Sequence, residues 1–136
     1  MTGSTDEPVR TILVVEDEVL IRLTVTEYLR DCGYRVFEAS NAAEAKRVLD
    51  ADTPVRLVFS DVNMPGDENG FALARWIRQH HPDTKLLLTS GVTNAPGKAG
   101  DLCEEGPFMA KPYSPAAVLE RIESLLRYAR RAGSGQ

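Results

Sequence analysis

The chain has 136 residues, 43% of them hydrophobic and 26% charged, with 20 acidic against 16 basic side chains and a net charge of −4. That size and balance suit one domain with a buried core, and the acidic excess disfavours a nucleic-acid binder, which usually presents a basic face. No apolar run approaches the ~20 residues of a membrane span, and the polar start, Met1 to Pro8, lacks the apolar centre of a signal peptide, so the expectation is a cytoplasmic protein with no membrane partner.

Residues 1–10 read as a flexible tail, 11–131 as the folded domain and 132–136 as a second tail. Thr11–Val15 is an apolar run typical of a buried strand and leads straight into Glu16, Asp17 and Glu18. A helix over Val19–Cys32 follows, with Leu20, Leu23, Val25, Tyr28 and Leu29 as its apolar stripe and Gly33 as its terminator. Tyr34–Ala39 is the second strand. Asn41 with Glu44 three residues on resembles a cap with a back-reaching acid, opening a helix to about Ala51 that buries Ala42, Ala45, Val48 and Leu49.

Pro54 breaks the chain before a third strand, Val55–Ser60, which delivers Asp61 to the start of a loop containing Pro65 and Gly66. The third helix, Phe71–His80, stops before Pro82, with Phe71, Leu73, Ala74 and Ile77 inward and Trp76 at the edge. Lys85–Thr89 is the fourth strand and Phe108–Ala110 the fifth, the latter running into Lys111 and Pro112. Between them, Pro96, Gly97 and Gly100 leave room only for a short, weak helix near 98–105. Ser114 caps a final helix that has Pro115 at its first position and runs to about Arg131. Val118, Leu119, Ile122, Leu125 and Leu126 form its stripe.

Alternating strands and helices imply parallel pairing with right-handed crossovers. The fold class is therefore α/β: a doubly wound five-stranded sheet of order 2-1-3-4-5, a flavodoxin-like three-layer sandwich. Its switch point lies between the first and third strands, so Glu16, Asp17 and Asp61 should converge there.

Two like charges about 4 Å apart repel by roughly 4 kcal/mol at an effective dielectric near 20. A crevice of acids thus holds a proton or a cation. Hard oxygen donors with no His or Cys nearby favour Mg²⁺, with Mn²⁺ as its substitute. With the Lys111 ammonium at a nearby strand tip, this is a phosphate site: metal and Lys neutralise phosphoryl oxygens while Asp61 attacks phosphorus. The product is an aspartyl phosphate, and the Thr89 hydroxyl can donate to one phosphoryl oxygen.

Blander readings stand beside these. A lone strand-end Asp is usually a solvated turn acid, Glu18 a helix-start acid favoured by the dipole, and Phe108 a core residue. His80 and His81 close a helix, and Arg127, Arg130 and Arg131 are helix-end cations. Cys32 and Cys103 form no metal-ligand spacing and read as reduced thiols.

Four pieces in order carry a resemblance: Val14-Val15-Glu16-Asp17, Asp61-Val62-Asn63-Met64-Pro65 with Gly70, Thr89, and Lys111-Pro112. From about Arg10 to Arg130 the chain resembles the receiver domain of bacterial two-component response regulators. The resemblance implies that Asp61 accepts phosphate from the phosphohistidine of a histidine kinase or histidine phosphotransfer protein. It implies that Asp17 and Asp61 ligate Mg²⁺, that Glu16 assists through water, and that Asn63 offers its backbone carbonyl. Lys111 would pair with the phosphoryl group, and Thr89 and Phe108 match the switch hydroxyl and switch aromatic. Departures are the Glu-Asp order of the acidic pair, the acidic loop Gly66–Asn69, and Ser90 in place of a small Ala or Gly. Thr89 is favoured over Ser90 as the phosphate hydroxyl because Lys111 follows it at the familiar spacing.

The Thr89-Ser90-Gly91 run, the weak helix and the Lys111–Pro115 run resemble stand-alone receivers or those attached to hybrid kinases. That implies a signalling switch, of the stand-alone type by preference, not a turnover enzyme, with a downstream protein partner and no DNA-binding output domain. It would be a monomer or a weak, phosphorylation-dependent dimer. The face formed by the 98–105 helix, the fifth strand and the last helix would be remodelled. Three other functions compete. A haloacid-dehalogenase-type hydrolase wants a second Asp two positions after the nucleophile, where Asn63 stands. A dinucleotide module wants a Gly-rich first turn, where Glu16–Glu18 stands. A phosphate-free adaptor would have no use for the acids and Lys111.

Overall fold

This computed structural model describes residues 10–51, 54–64, 66, 68–90, 108–110 and 113–134. Among the described residues five strands and four helices follow in the order β1 (Thr11–Val15), α1 (Val19–Asp31), β2 (Arg35–Ala39), α2 (Ala42–Asp50), β3 (Leu57–Asp61), α3 (Gly70–His80), β4 (Lys85–Ser90), β5 (Phe108–Ala110) and α4 (Pro115–Ser134). The weak helix expected near 98–105, like Cys103, lies outside the described residues.

All strand pairs are parallel, in the order β2-β1-β3-β4-β5. Parallel strands covered on both faces read as near-continuous apolar runs, and β1 and β3 are buried at every position. Their alternating side chains feed two cores. Leu13, Val15 and Val58 pack with α2 and α3 through Leu49, Leu73 and Ile77. Ile12, Val14 and Phe59 pack with α1 and α4 through Leu29, Val118 and Ile122. The result is the expected three-layer α/β sandwich.

The helix ends follow local chemistry. Asn41 accepts the Glu44 N–H at 2.8 Å, and the Glu44 carboxylate reaches back to the Ser40 N–H at 2.7 Å, so the expected cap forms with the acid one residue further back than the simple motif. Ser114 accepts the Ala117 N–H at 3.1 Å, as expected of a cap. Gly33, with φ of +100°, takes the left-handed turn that ends α1.

One expectation fails. Leu20 and Leu23, assigned to the inward stripe of α1, are exposed to 79% and 38%, and the buried residues are Val25, Thr26 and Leu29. The helix starts at the sheet's carboxyl edge, with only three residues between it and Val15, so its first turns have no strand beneath them.

Candidate functional site

The parallel register of β1 and β3 sets Val15 beside Ser60, which puts Glu16 and Asp61 side by side at the carboxyl edge. The turn after β1 is held by main-chain bonds. Glu16 donates its N–H to the Ala39 carbonyl at 2.9 Å, and its own carbonyl accepts from Arg22 Nη1 at 2.8 Å. The Glu16 carboxylate accepts the Glu18 N–H at 3.0 Å and is almost wholly buried, whereas Asp17 is exposed.

Asp61 is the last residue of β3, not the first of a loop as expected. β4 runs through Ser90, so the ladder continues and pairs Asp61 with Thr89. Its carboxylate is buried and accepts the Asn63 N–H at 3.1 Å, which bends the chain away from the sheet. The next residue, Val62, donates to the Thr89 carbonyl at 2.8 Å and accepts from the Gly70 N–H at 2.8 Å. A Cβ on Gly70 would stand 2.5 Å from the Asp61 carbonyl oxygen and 2.7 Å from the Val62 Cα, so only glycine lets α3 start this close to the acid.

Glu16, Asp17 and Asp61 each present a carboxylate oxygen within 4.8 Å of the other two, and no other His, Cys, Asp or Glu group among the described residues does so. Three hard oxygens without nitrogen or sulfur donors suit Mg²⁺ or a similar ion. Such an ion would neutralise charges that otherwise repel one another.

Two hydroxyls complete the neighbourhood. Thr89 is fully buried, and its Oγ1 has no hydrogen-bond partner. The Tyr113 hydroxyl is likewise buried and unpartnered. Burial, then the charges of Glu16, Asp61 and Glu18, push the Tyr113 phenol well above its ordinary pKa. Its ring meets Phe59 of β3 edge-on, centroids 5.6 Å apart.

Of the expected site residues, Glu16, Asp17, Asp61 and Thr89 come together, and Asn63 follows in an exposed turn. Lys111 lies outside the described residues. Phe108 opens β5 opposite Leu88, and its side chain is likewise outside the description. Glu18 is the N-cap of α1 but makes no side-chain cap bond. His80 and His81 surround Trp76 at the end of α3, with His80 stacked at 4.6 Å, and join no cluster of metal-ligating type. Sequence reasoning passed over Tyr113. The available signal was its place two residues after Lys111, on the loop leaving a charged strand tip.

The family model for the response regulator receiver domain matches residues 12–123. The transcriptional regulatory protein GltR of Pseudomonas aeruginosa is 35% identical over 123 residues, covering 88% of this chain and 50% of GltR. The sensor kinase CckA of Brucella abortus is 32% identical over 123 residues, covering 85% of this chain and 12% of CckA. The crystal structure of NtrX from Brucella abortus superposes with a TM-score of 0.81 at 30% identity, covering 93% of this chain and 29% of that one. The chain thus spans about half the length of GltR, and what such relatives do as whole proteins belongs to them. No helix among the described residues is long and apolar enough to cross a membrane.

Proposed function

The chain belongs to the response regulator receiver domain family, and from that premise we propose that Asp61 is its phosphoacceptor, working with Mg²⁺ or Mn²⁺ held by Glu16, Asp17 and Asp61. The observation that carries this reading is the three carboxylate oxygens within 4.8 Å of one another at the ends of β1 and β3. In the reaction an Asp61 oxygen attacks the phosphorus of a phosphohistidine. The phosphorus–nitrogen bond breaks, and the imidazole nitrogen leaves with the electron pair. The bound cation supplies charge neutralisation at the phosphoryl oxygens.

This chain's residues do the rest. Asp17 and Asp61 would hold the cation directly, Glu16 would assist through water, and the Asn63 backbone carbonyl would complete the set. Lys111 pairs with the phosphoryl group. The Thr89 hydroxyl, unpartnered beside Asp61, turns to donate to a phosphoryl oxygen. Leaving a buried hydroxyl unbonded costs about 1–3 kcal/mol, and recovering that bond biases the switch toward the phosphorylated state. Phe108 and the surface of β5 and α4 relay the change to a downstream protein. The donor is a histidine kinase or histidine phosphotransfer protein, and the chain acts as a switch without turnover.

Intact mass after incubation with acetyl phosphate and Mg²⁺ tests this. A single adduct of about 80 Da, not formed when chelator replaces Mg²⁺ and absent in Asp61→Asn, is expected. No adduct on the folded wild type overturns the reading. Sustained hydrolysis of a small phosphate ester replaces it with a hydrolase.

A further inference from the structure

A peptide unit is planar, so whatever holds its carbonyl oxygen also fixes the direction in which the chain enters the next residue. The peptide joining Glu16 to Asp17 is held in this way. Its carbonyl accepts from Arg22 Nη1 at 2.8 Å, and the Glu16 N–H, on the strand side, donates to the Ala39 carbonyl of β2 at 2.9 Å. Arg22 stands near the start of α1, where its own N–H donates to the Glu18 carbonyl at 2.9 Å. Its guanidinium is anchored in turn by Glu38 of β2, which accepts from Nε at 2.9 Å. Glu38 also accepts from Arg30 Nη2 at 3.4 Å, and the same nitrogen donates to the Val36 carbonyl at 2.7 Å, so these two bonds of Arg30 end on β2. The Arg22 side chain is 17% exposed and largely withdrawn from water, whereas Asp17, the residue it steadies, is exposed.

We propose that Arg22 is a positioning residue of the acidic site: by tying the Glu16 carbonyl to β2 through Glu38, it sets Asp17 in the direction a divalent cation requires. The inference rests on the proposed phosphoacceptor reading, because it takes the acid cluster as the cation site. An exposed carboxylate on a free turn loses conformational freedom when a cation orders it, and a turn already fixed avoids that cost. Arg22 acts on the main chain and touches neither cation nor phosphoryl group. It therefore governs how much Mg²⁺ the site needs, not how fast the loaded site reacts. Arginine suits the task because its separate nitrogens meet two acceptors at once, whereas the single ammonium of a lysine is a point charge on a flexible stem.

The test compares Arg22→Ala, Arg22→Lys and Arg30→Ala with the wild type. Mg²⁺ binding is measured by calorimetry, and phosphate uptake from acetyl phosphate is followed by intact mass across Mg²⁺ concentrations. Glu16-Asp17 is the only Glu-Asp step in the sequence, so protein made with carbonyl-¹³C glutamate and ¹⁵N aspartate shows one cross-peak for that peptide. Arg22→Ala should bind Mg²⁺ about tenfold more weakly, the worth of one hydrogen bond from a charged donor. Its uptake rate at saturating Mg²⁺ should match that of the wild type. Its cross-peak should be broadened in chelator and sharp again with Mg²⁺, where the wild type is sharp in both. Arg22→Lys should fall between the two, and it carries the test if the alanine variant does not fold. Arg30→Ala should melt lower than the wild type with its Mg²⁺ affinity unchanged. Wild-type Mg²⁺ affinity in the Arg22 variants, or an equal loss in Arg30→Ala, overturns the proposal, makes Arg22 a stitch between α1 and β2, and leaves the phosphoacceptor reading intact. Failure of the wild type to bind Mg²⁺ at all overturns both.

Discussion

Two regions of this molecule handle charge in opposite ways. At the carboxyl edge of β1 and β3, like charges are gathered: three acids within 4.8 Å, with two unpartnered hydroxyls nearby. On the flank shared by α2 and α3, opposite charges are matched. Lys46 bridges Glu68 at 2.6 Å and sits 5.2 Å from the Trp76 ring centre, His81 lies 3.2 Å from Asp50, and Glu44 is bonded to Ser40. The flank's groups meet in pairs, whereas the edge crowds three carboxylates beside two buried hydroxyls that have no partner. The crowded edge is the part suited to take up something added.

The sharpest way to break the comparison is to move the edge itself. Gly70→Ala forces a methyl group to 2.5 Å from the Asp61 carbonyl oxygen, against backbone that cannot step aside cheaply. Overpacking of this kind costs about 3 kcal/mol, and because Gly70 opens α3, outside the helix interior, little helix propensity is gained in return. Urea unfolding should show that loss, together with slower phosphate uptake. A variant as stable as the wild type would mean that α3 need not approach Asp61 so closely.

Next in size is the response to a bound cation. In the wild type, Mg²⁺ at about a hundred times its Kd should add about 2.7 kcal/mol of stability. Asp17→Asn should abolish most of that gain, yet be about 1 kcal/mol more stable than the wild type in chelator, because one repelling charge is gone. Equal loss of stability with and without Mg²⁺ would show Asp17 to be an ordinary structural acid.

The two regions were not equally legible in the sequence. The gathering of acids was readable, because short apolar runs ending in Glu16-Asp17 and Asp61 fix both the strands and their tips, and alternation fixes the order. What escaped depends on register and on three dimensions. Asp61 falls within β3, not the loop, because β4 extends to Ser90 and carries the ladder one residue further. Leu20 and Leu23 fit a helical stripe on paper, but lie beyond the edge of the sheet they were meant to cover. Asn69, which caps α3 by accepting the Ala72 N–H at 2.9 Å, was hidden in an acidic loop. The box of His80, His81 and Lys46 around Trp76 needed α2 and α3 to be placed side by side.

On the flank, effects should be small and blind to Mg²⁺. Lys46→Ala removes a partly exposed ion pair and a cation–π contact, together worth about 1 kcal/mol. Chemical unfolding should register that loss, with Mg²⁺ affinity unchanged. A fall in Mg²⁺ affinity would show that the flank, through Glu68 in the loop after β3, supports the site after all.

The smallest expected effect separates the regions by pH. The Glu44 carboxylate accepts from both the N–H and the hydroxyl of Ser40, and these bonds, the backbone one foremost, hold its pKa below the ordinary 4.5. A carboxyl lowered by folding stabilises the protein at pH above its unfolded value, and that contribution disappears as pH falls through the lowered one. Glu44→Gln keeps the Asn41 cap but cannot accept with a charge, so it should be less stable than the wild type near neutrality. The gap should close as pH falls through the lowered value, with Mg²⁺-induced stabilisation the same in variant and wild type at each pH. A gap independent of pH would mean that shape, not charge, makes the cap. A gap that depended on Mg²⁺ would dissolve the division between the paired flank and the acidic edge.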